Sequence, residues 1–315
     1  MNQHAWQAMM NANAISLISH IHPDGDTLGS VLALYDVLKG LGKTVSLYNA
    51  TPVMPRRFKF LPGIEEISDS FPPYYFDVAV TCDCGSLDRA VLKKGEFTLI
   101  NIDHHATNTH FGDINLVREE FCSVTMVVYE MLVENHVAIS PDAALCLYAG
   151  MAEDTGFFTY GNLTKRVFDT LANLTSLGAD PARIARKMRQ EVPLSSLRLR
   201  QHVLDNFELL ENGTVAKSII TQSDLGRTGS HRDDTKNIIN ILRELVTVEL
   251  AIMILEESDG SHKVSMRSKK EIDVARIAQV LGGGGHRRAA GFDTQVHDPD
   301  VICRMILEEM KRKID

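Results

Sequence analysis

The sequence lacks a surplus of positive charge: 33 lysines and arginines stand against 41 aspartates and glutamates, a formal net charge of -8. This excludes a protein that grips nucleic acid through a broadly basic surface, and an anionic substrate would have to meet cations placed locally. No apolar run comes near the ~18 residues that a membrane-spanning helix needs. The start of the chain shows no basic segment followed by an apolar one, so no secretory signal is expected. Paired cysteines are missing too: the five present have one close spacing, Cys82-x-Cys84. Free thiols in a reducing cytoplasm are the expectation. There is no internal repeat and no low-complexity tract. What is left, 44% apolar and 23% charged residues over a length of 315, is a globular composition with room for about two domains.

Short apolar runs alternate with helical periods through the first half of the chain. Strands are expected at 14–19, 44–48, 77–81 and 97–102, with a loop at 20–29 punctuated by Pro23 and two glycines. Helices are expected at 30–41, 86–93, 123–134, 141–151 and 165–177, the last capped by Thr164. A short helix and turn fall at 56–67, and a further helix runs to about 190. Such alternation argues for an α/β chain whose mostly parallel sheet carries helices on both faces. One long amphipathic helix is expected over 193–211. The pattern then restarts with strands at 215–221, 248–255 and 263–267, a turn at Asp259-Gly260, helices at 234–245 and 273–281, and a last helix from Pro299. The chain is thus expected to divide into residues 1–190, a linker helix over 191–212, and a smaller α/β domain over 213–315.

The stretch that organises the rest is Ile100-Asn101-Ile102-Asp103-His104-His105. A buried strand that delivers a carboxylate and two imidazoles at its end places chemistry at the carboxyl edge of an α/β sheet. Three other stretches end in the same way: His20-Ile21-His22-Pro23-Asp24-Gly25-Asp26, Cys82-Asp83-Cys84 and Glu153-Asp154. Any one of these groups can be a cap or a turn residue; together they point to a single site. Carboxylates crowded there would raise one another's pKa, and a pair of divalent cations removes that conflict. Four carboxylates balance two such ions formally. Mixed Asp and His ligation suits Mn²⁺ or another borderline-hard ion better than Ca²⁺ or a thiolate-loving metal. Two ions ~3.5–4 Å apart that share a carboxylate activate water and clamp a phosphoryl oxygen. His22 is read as a loop residue, and Cys82 and Cys84 as small buried fillers pointing away from Asp83, not as a zinc site.

These motifs resemble those of the DHH phosphoesterases, in the branch with a C-terminal DHHA1 domain that includes the NrnA-like short-oligonucleotide hydrolases. The resemblance covers nearly the whole chain. His20-x-x-x-Asp24-x-Asp26 resembles the first family motif, Asp83 the second, Asp103-His104-His105 the third and Asp154 the fourth. Gly283-Gly284-Gly285-His286-x-x-Ala289-Ala290-Gly291 resembles the DHHA1 signature. The resemblance implies one metal held by His20, Asp24 and Asp83, and a second held by Asp26, Asp83, His104 and Asp154. Asp83 would then bridge, His105 would touch the scissile phosphate, and Asp103 would orient an imidazole. One departure is Asn237 in Thr235-Lys236-Asn237, where relatives often carry glycine, so no substrate contact is assigned to that turn.

The glycine run has physics of its own. Four glycines let the backbone approach a ligand closely, and successive N–H groups can form an anion-binding nest, with His286 at its rim. Arg267 and Ser268 end the preceding strand, where a guanidinium can fork to a phosphate. Arg267, Ser268, Gly284, Gly285 and His286 are therefore candidate substrate contacts beside His105, while Arg287 and Arg288 are read as surface residues. With Asp83 and His105 as catalytic residues, the expected function is two-metal hydrolysis of short RNA or DNA oligonucleotides, of linear dinucleotides such as pApA and pGpG, and of pAp, to mononucleotides. Mn²⁺ is the expected ion, with Mg²⁺ or Co²⁺ as alternatives; the location is cytoplasmic, without a membrane, and a homodimer is left open. A cyclic-dinucleotide phosphodiesterase is the alternative within the class, ahead of an inorganic pyrophosphatase. A silent nucleotide sensor is the alternative outside it, and the intact ligand set argues against a sensor.

Overall fold

The computed structural model describes residues 2–51, 54–71, 76–235 and 238–312. The chain separates into two units, Met1–Glu191 and Val192–Asp315, and each is described by itself.

In the first unit the strands are β1 (Ala14–Ser19), β2 (Thr44–Tyr48), β3 (Ile67–Ser68), β4 (Val78–Cys82), β5 (Thr98–Asp103) and β6 (Ile114–Val117). They pair in parallel throughout, in the order β3-β2-β1-β4-β5-β6, so the parallel α/β sheet read from the sequence is present. The helices are α1 (Asn2–Asn11), α2 (Gly25–Gly40), α3 (Val124–Glu134), α4 (Pro141–Asp154), α5 (Lys165–Ser176) and α6 (Pro181–Ala185). Alternation along the strands sorts the core. Ile15, Leu17, Val80 and Ile100 pack with Leu28, Leu32, Val128 and Leu147 of the helices. Ile18, Ala79 and Leu99 pack with Phe76, Ala90 and Leu92 in a smaller cluster. Because β1 lies between β2 and β4, the chain builds one half of the sheet from β1 outward and then returns to build the other. The crevice beyond the carboxyl ends of β1 and β4 is where an open α/β sheet receives ligands.

Several boundaries differ from the periodicity. The loop expected at 20–29 is helical from Gly25, because Asp24 caps α2 by accepting the N–H groups of Asp26 (3.2 Å) and Thr27 (3.1 Å). Gly29 marks a helix crossing there instead of a loop: a Cβ at this position would stand 2.5 Å from the Cys146 carbonyl oxygen of α4. Gly29→Ala is accordingly expected to destabilise the fold by about 1–3 kcal/mol, since the obstacle is backbone that cannot move aside. A fall in the calorimetric midpoint checks this; an unchanged midpoint means that the crossing is not tight. The helix expected at 86–93 is a 3-10 turn, Leu87–Ala90, stopped by Val91 at φ 49. The helix expected to end at 151 runs on through Asp154. Helix α1, which buries Ala5, Trp6 and Met9, and strand β6 had no forerunner in the pattern.

In the second unit, α7 (Leu194–Asn206) is followed by β7 (Glu208–Leu210) and β8 (Val215–Ile220), then α8 (Gln222–Thr228), α9 (Ile238–Glu244), β9 (Leu250–Glu256), β10 (His262–Ser268), α10 (Val274–Val280), β11 (Gly284–His286), β12 (Ala289–Thr294) and α11 (Pro299–Lys311). The sheet order is β11-β12-β10-β9-β8-β7. The single helix expected over 193–211 is corrected: Phe207 turns to extended backbone, and Glu208–Leu210 pairs antiparallel with β8, whose ladder bonds outweigh the helical period. The glycine run is corrected as well. Gly284 to His286 form an edge strand paired with Gly291 to Ala289, not a free anion-binding loop. Glycine is required by the closeness of this pairing: a Cβ on Gly285 would meet the Ala289 carbonyl oxygen at 2.6 Å. Lys236 and Asn237 lie outside the described residues. Among the described residues no helix is long and apolar enough to cross a membrane.

Candidate metal centre

Each stretch singled out in the N-terminal half delivers its side chains to the crevice beyond β1 and β4. His20 follows the last residue of β1, and Asp83 follows the last residue of β4. Asp103 ends β5, with His104 and His105 next. Asp24 caps α2, Asp26 lies in its first turn, and Asp154 ends α4. Asp83 takes a φ of 60, a left-handed conformation that Asp tolerates better than most residues.

The distances define one cluster around Asp83. His20 Nε2 lies 3.3 Å from Asp83 Oδ2 and 3.8 Å from Asp24 Oδ1. His104 Nε2 lies 3.9 Å from Asp83 Oδ1 and 3.4 Å from Asp154 Oδ2. His105 Nδ1 is 3.4 Å from Asp83 Oδ1 and hydrogen-bonded to Asp103 Oδ1 at 2.8 Å. The ligand atoms of His20, Asp24 and Asp83 lie within 4.8 Å of one another; so do those of Asp26, Asp83 and His104, and those of Asp83, Asp103 and His105. Asp83 belongs to all three groups.

Electrostatics show a site short of cations. Burial pushes the Asp26 carboxyl up, the Asp83 charge adds to this, and the result is about 7. This occurs although Asp26 accepts the N–H groups of Val124 (2.7 Å) and Thr125 (2.9 Å) at the start of α3. Asp154 rises well above the usual carboxylate range through lost hydration and the charges of Asp26 and Asp83. Burial alone would lower His20, but Asp24 and Asp83 outweigh it and raise the imidazole to about 9. His104 and His105 are raised in the same way, against burial, by the charges of Asp26 and Asp83 in the first case and by the Asp103 hydrogen bond in the second. Asp103, which burial would raise, is held below its usual range by that bond from His105.

The chain carries two family domains: residues 14–151 match the DHH family, N-terminal domain, and residues 213–312 match the DHHA1 domain. A bifunctional oligoribonuclease and PAP phosphatase NrnA from Thermus thermophilus is 30% identical over 303 residues, covering 95% of this chain and 90% of that protein. The chain belongs to the DHH family of phosphoesterases. As a DHH phosphoesterase it is a hydrolase of phosphoester bonds in a metal-dependent family. The NrnA of Bacillus subtilis, also described as a bifunctional oligoribonuclease and PAP phosphatase, is 25% identical and covers 93% of this chain and 95% of that one. The crystal structure of an exopolyphosphatase-related protein from Bacteroides fragilis superposes with a TM-score of 0.87 at 26% identity, covering 98% of this chain and 94% of that one.

The residues of this DHH centre fit metal ions. His20 Nε2 and Asp83 Oδ1 are buried without a hydrogen-bond partner among the described residues, as atoms awaiting a cation would be. Ligands must shed their protons; at neutral pH His20, raised to about 9, holds one, and Asp26, raised to about 7, is partly protonated. Mn²⁺ binding at pH 7 is therefore expected to release protons, and its apparent affinity to rise as pH increases toward 9. Calorimetric titration in two buffers of different ionisation enthalpy reads the release; an affinity flat from pH 6 to 9 would contradict it.

Asn108 and Arg89 escaped the sequence reading, and Glu153 enters it only as part of the Glu153-Asp154 stretch. Asn108 donates to the second oxygen of Asp103 and to Asn101 Oδ1 (2.8 Å), locking the carboxylate behind His105. Glu153 pairs with Arg57 (2.6 Å) and accepts the Gly25 N–H, which joins the end of α4 to the start of α2. Arg89 stands beside His20. The Glu153 and Arg89 contacts join distant parts of the chain, whereas Asn108 lies five residues from Asp103; only Glu153, next to Asp154, had a signal in its position. His22 gives its N–H to Thr51 Oγ1 at 2.7 Å. Cys82 and Cys84 are buried free thiols, in separate apolar clusters. In the C-terminal unit Arg267 is half-buried, Gly284 and His286 are exposed, and Gly285 is half-buried. Ser268 is only 1% exposed, so its hydroxyl faces the interior of that unit.

Proposed function

We propose that this phosphoesterase hydrolyses short oligonucleotides, linear dinucleotides such as pApA, and pAp, releasing mononucleotides in the cytoplasm with two Mn²⁺ ions. The observation that carries the reading is the position of Asp83, whose carboxylate reaches both groups of prospective ligands. The two NrnA relatives, each an oligoribonuclease and PAP phosphatase, support the substrate class.

In this reading His20, Asp24 and Asp83 hold one ion, and Asp26, Asp83, His104 and Asp154 hold the other. Two ions so placed supply a nucleophile from water and neutralise phosphoryl oxygens. The chain's own residues do the rest. Asp103 fixes a hydrogen on His105 Nδ1 by their 2.8 Å bond, which leaves Nε2 to meet an oxygen of the reacting phosphate. The N-terminus of α3 grips Asp26, so that ligand does not reorganise during turnover. Arg267, Gly284, Gly285 and His286 of the C-terminal unit contact the part of the nucleotide that does not react.

The test is turnover with Mn²⁺ on pAp, pApA, a 5-mer RNA, a 24-mer RNA and a cyclic dinucleotide. Mononucleotide release from pApA and the 5-mer, well ahead of the 24-mer and the cyclic compound, is expected. Preference for the cyclic substrate, or binding of pApA without product, would replace this reading.

A further inference from the structure

Arg89 lies on the 3-10 turn Leu87–Ala90, and its carbonyl oxygen accepts the Ile21 N–H at 2.8 Å, tying the turn to the residue after His20. Its guanidinium Nη2 stands 3.2 Å from His20 Nδ1. That same Nδ1 lies 2.8 Å from the Ile21 carbonyl oxygen. A carbonyl can only accept, so Nδ1 carries a hydrogen, and a guanidinium nitrogen can only donate. Two donors therefore face each other, and this contact does not hold Arg89 in place. Among the described residues no carboxylate pairs with the Arg89 guanidinium, although Asp24 and Asp83 lie on the other side of the same imidazole. The side chain is exposed. A cation kept at the lip of an acidic site, without an anion of its own, is suited to receive one from a ligand.

The position decides which anion. His20 turns Nε2 toward Asp83, at 3.3 Å, and Nδ1 toward Arg89. Arg89 thus stands on the far side of the imidazole from the Asp83 carboxylate, with the ring between them. A nucleotide substrate with two phosphates places its second phosphate outward by the width of a sugar. Resting on the function proposed above, we propose that Arg89 binds the phosphate adjacent to the one being hydrolysed, such as the 5′-phosphate of pApA. It would thereby favour 5′-phosphorylated substrates over those with a free 5′-hydroxyl.

The test compares pApA with ApA, which differ only in that phosphate, using wild type, Arg89→Ala and Arg89→Lys with saturating Mn²⁺. In wild type kcat/KM should favour pApA over ApA. In Arg89→Ala that preference should shrink roughly 10- to 100-fold, the range of a charge-assisted hydrogen bond, because losing the guanidinium and losing the phosphate remove the same contact. Arg89→Lys, which keeps the charge without the fork, should recover part of it. Equal losses on pApA and ApA, no wild-type preference between them, or a loss traced to weakened Mn²⁺ binding through His20 would each overturn the inference while leaving the proposed function standing. A wild type that turns over neither compound would overturn the proposed function, and the inference with it.

Discussion

Asp83→Ala is expected to lose activity by roughly 10³-fold or more, and to lose more than His20→Ala. Metal-centred charge stabilisation is worth several kcal/mol, and each 1.36 kcal/mol is about tenfold in rate. Asp83 belongs to all three groups of prospective ligands described above, whereas His20 belongs to one. Removing the shared carboxylate therefore withdraws a ligand from both ions. Backbone strain is the complication: Asp83 has φ 60, which alanine tolerates poorly, so Asp83→Ala could lose activity by unfolding. Asp83→Asn separates the effects, because asparagine accepts the left-handed region and removes only the charge. Turnover with pApA and the calorimetric midpoint are measured together. Full activity in either variant contradicts a bridging role; a folded, inactive Asp83→Asn chain supports it.

The second large effect is expected far along the sequence. Arg267→Ala and His286→Ala should lower kcat/KM for pApA by about one to two decades, since a charged hydrogen bond contributes ~1.5–3 kcal/mol. A small generic ester such as bis(p-nitrophenyl) phosphate should lose much less. In the proposed reading the C-terminal unit would contribute binding energy from the half of the substrate that does not react, and that energy would be felt as positioning at the reacting centre. The structure changes the form of the argument. The glycine signature builds an edge strand, β11, and places His286 at its end. If pApA and the generic ester fall in the same proportion, the DHHA1 unit does not read the nucleotide.

Much of the first sheet was legible because its strands are continuous apolar runs buried on both faces, and its polar residues come immediately after those runs. Ile100-Asn101-Ile102 before Asp103-His104-His105 is the clearest case, and Ile15 to Ser19 before His20 is another. The start of α2 was not legible. Gly25 and Gly29 have the composition of a loop, and their use as contact points for Glu153 and Cys146 depends on a helix more than a hundred residues away. The strands β7 and β11 were hidden for a related reason: three residues of either carry no period, and pairing with β8 and β12 decides their state. Arg89 and Arg57 were hidden because nothing local marks a residue whose partner is His20 or Glu153.

The most direct measurement is the number and position of bound ions in crystals grown with Mn²⁺, read from anomalous scattering. Two peaks within ~4 Å of each other, both in contact with the Asp83 carboxylate, with His20 and Asp24 on one and Asp26, His104 and Asp154 on the other, is the predicted result. A single ion, or two that do not share Asp83, would contradict the account.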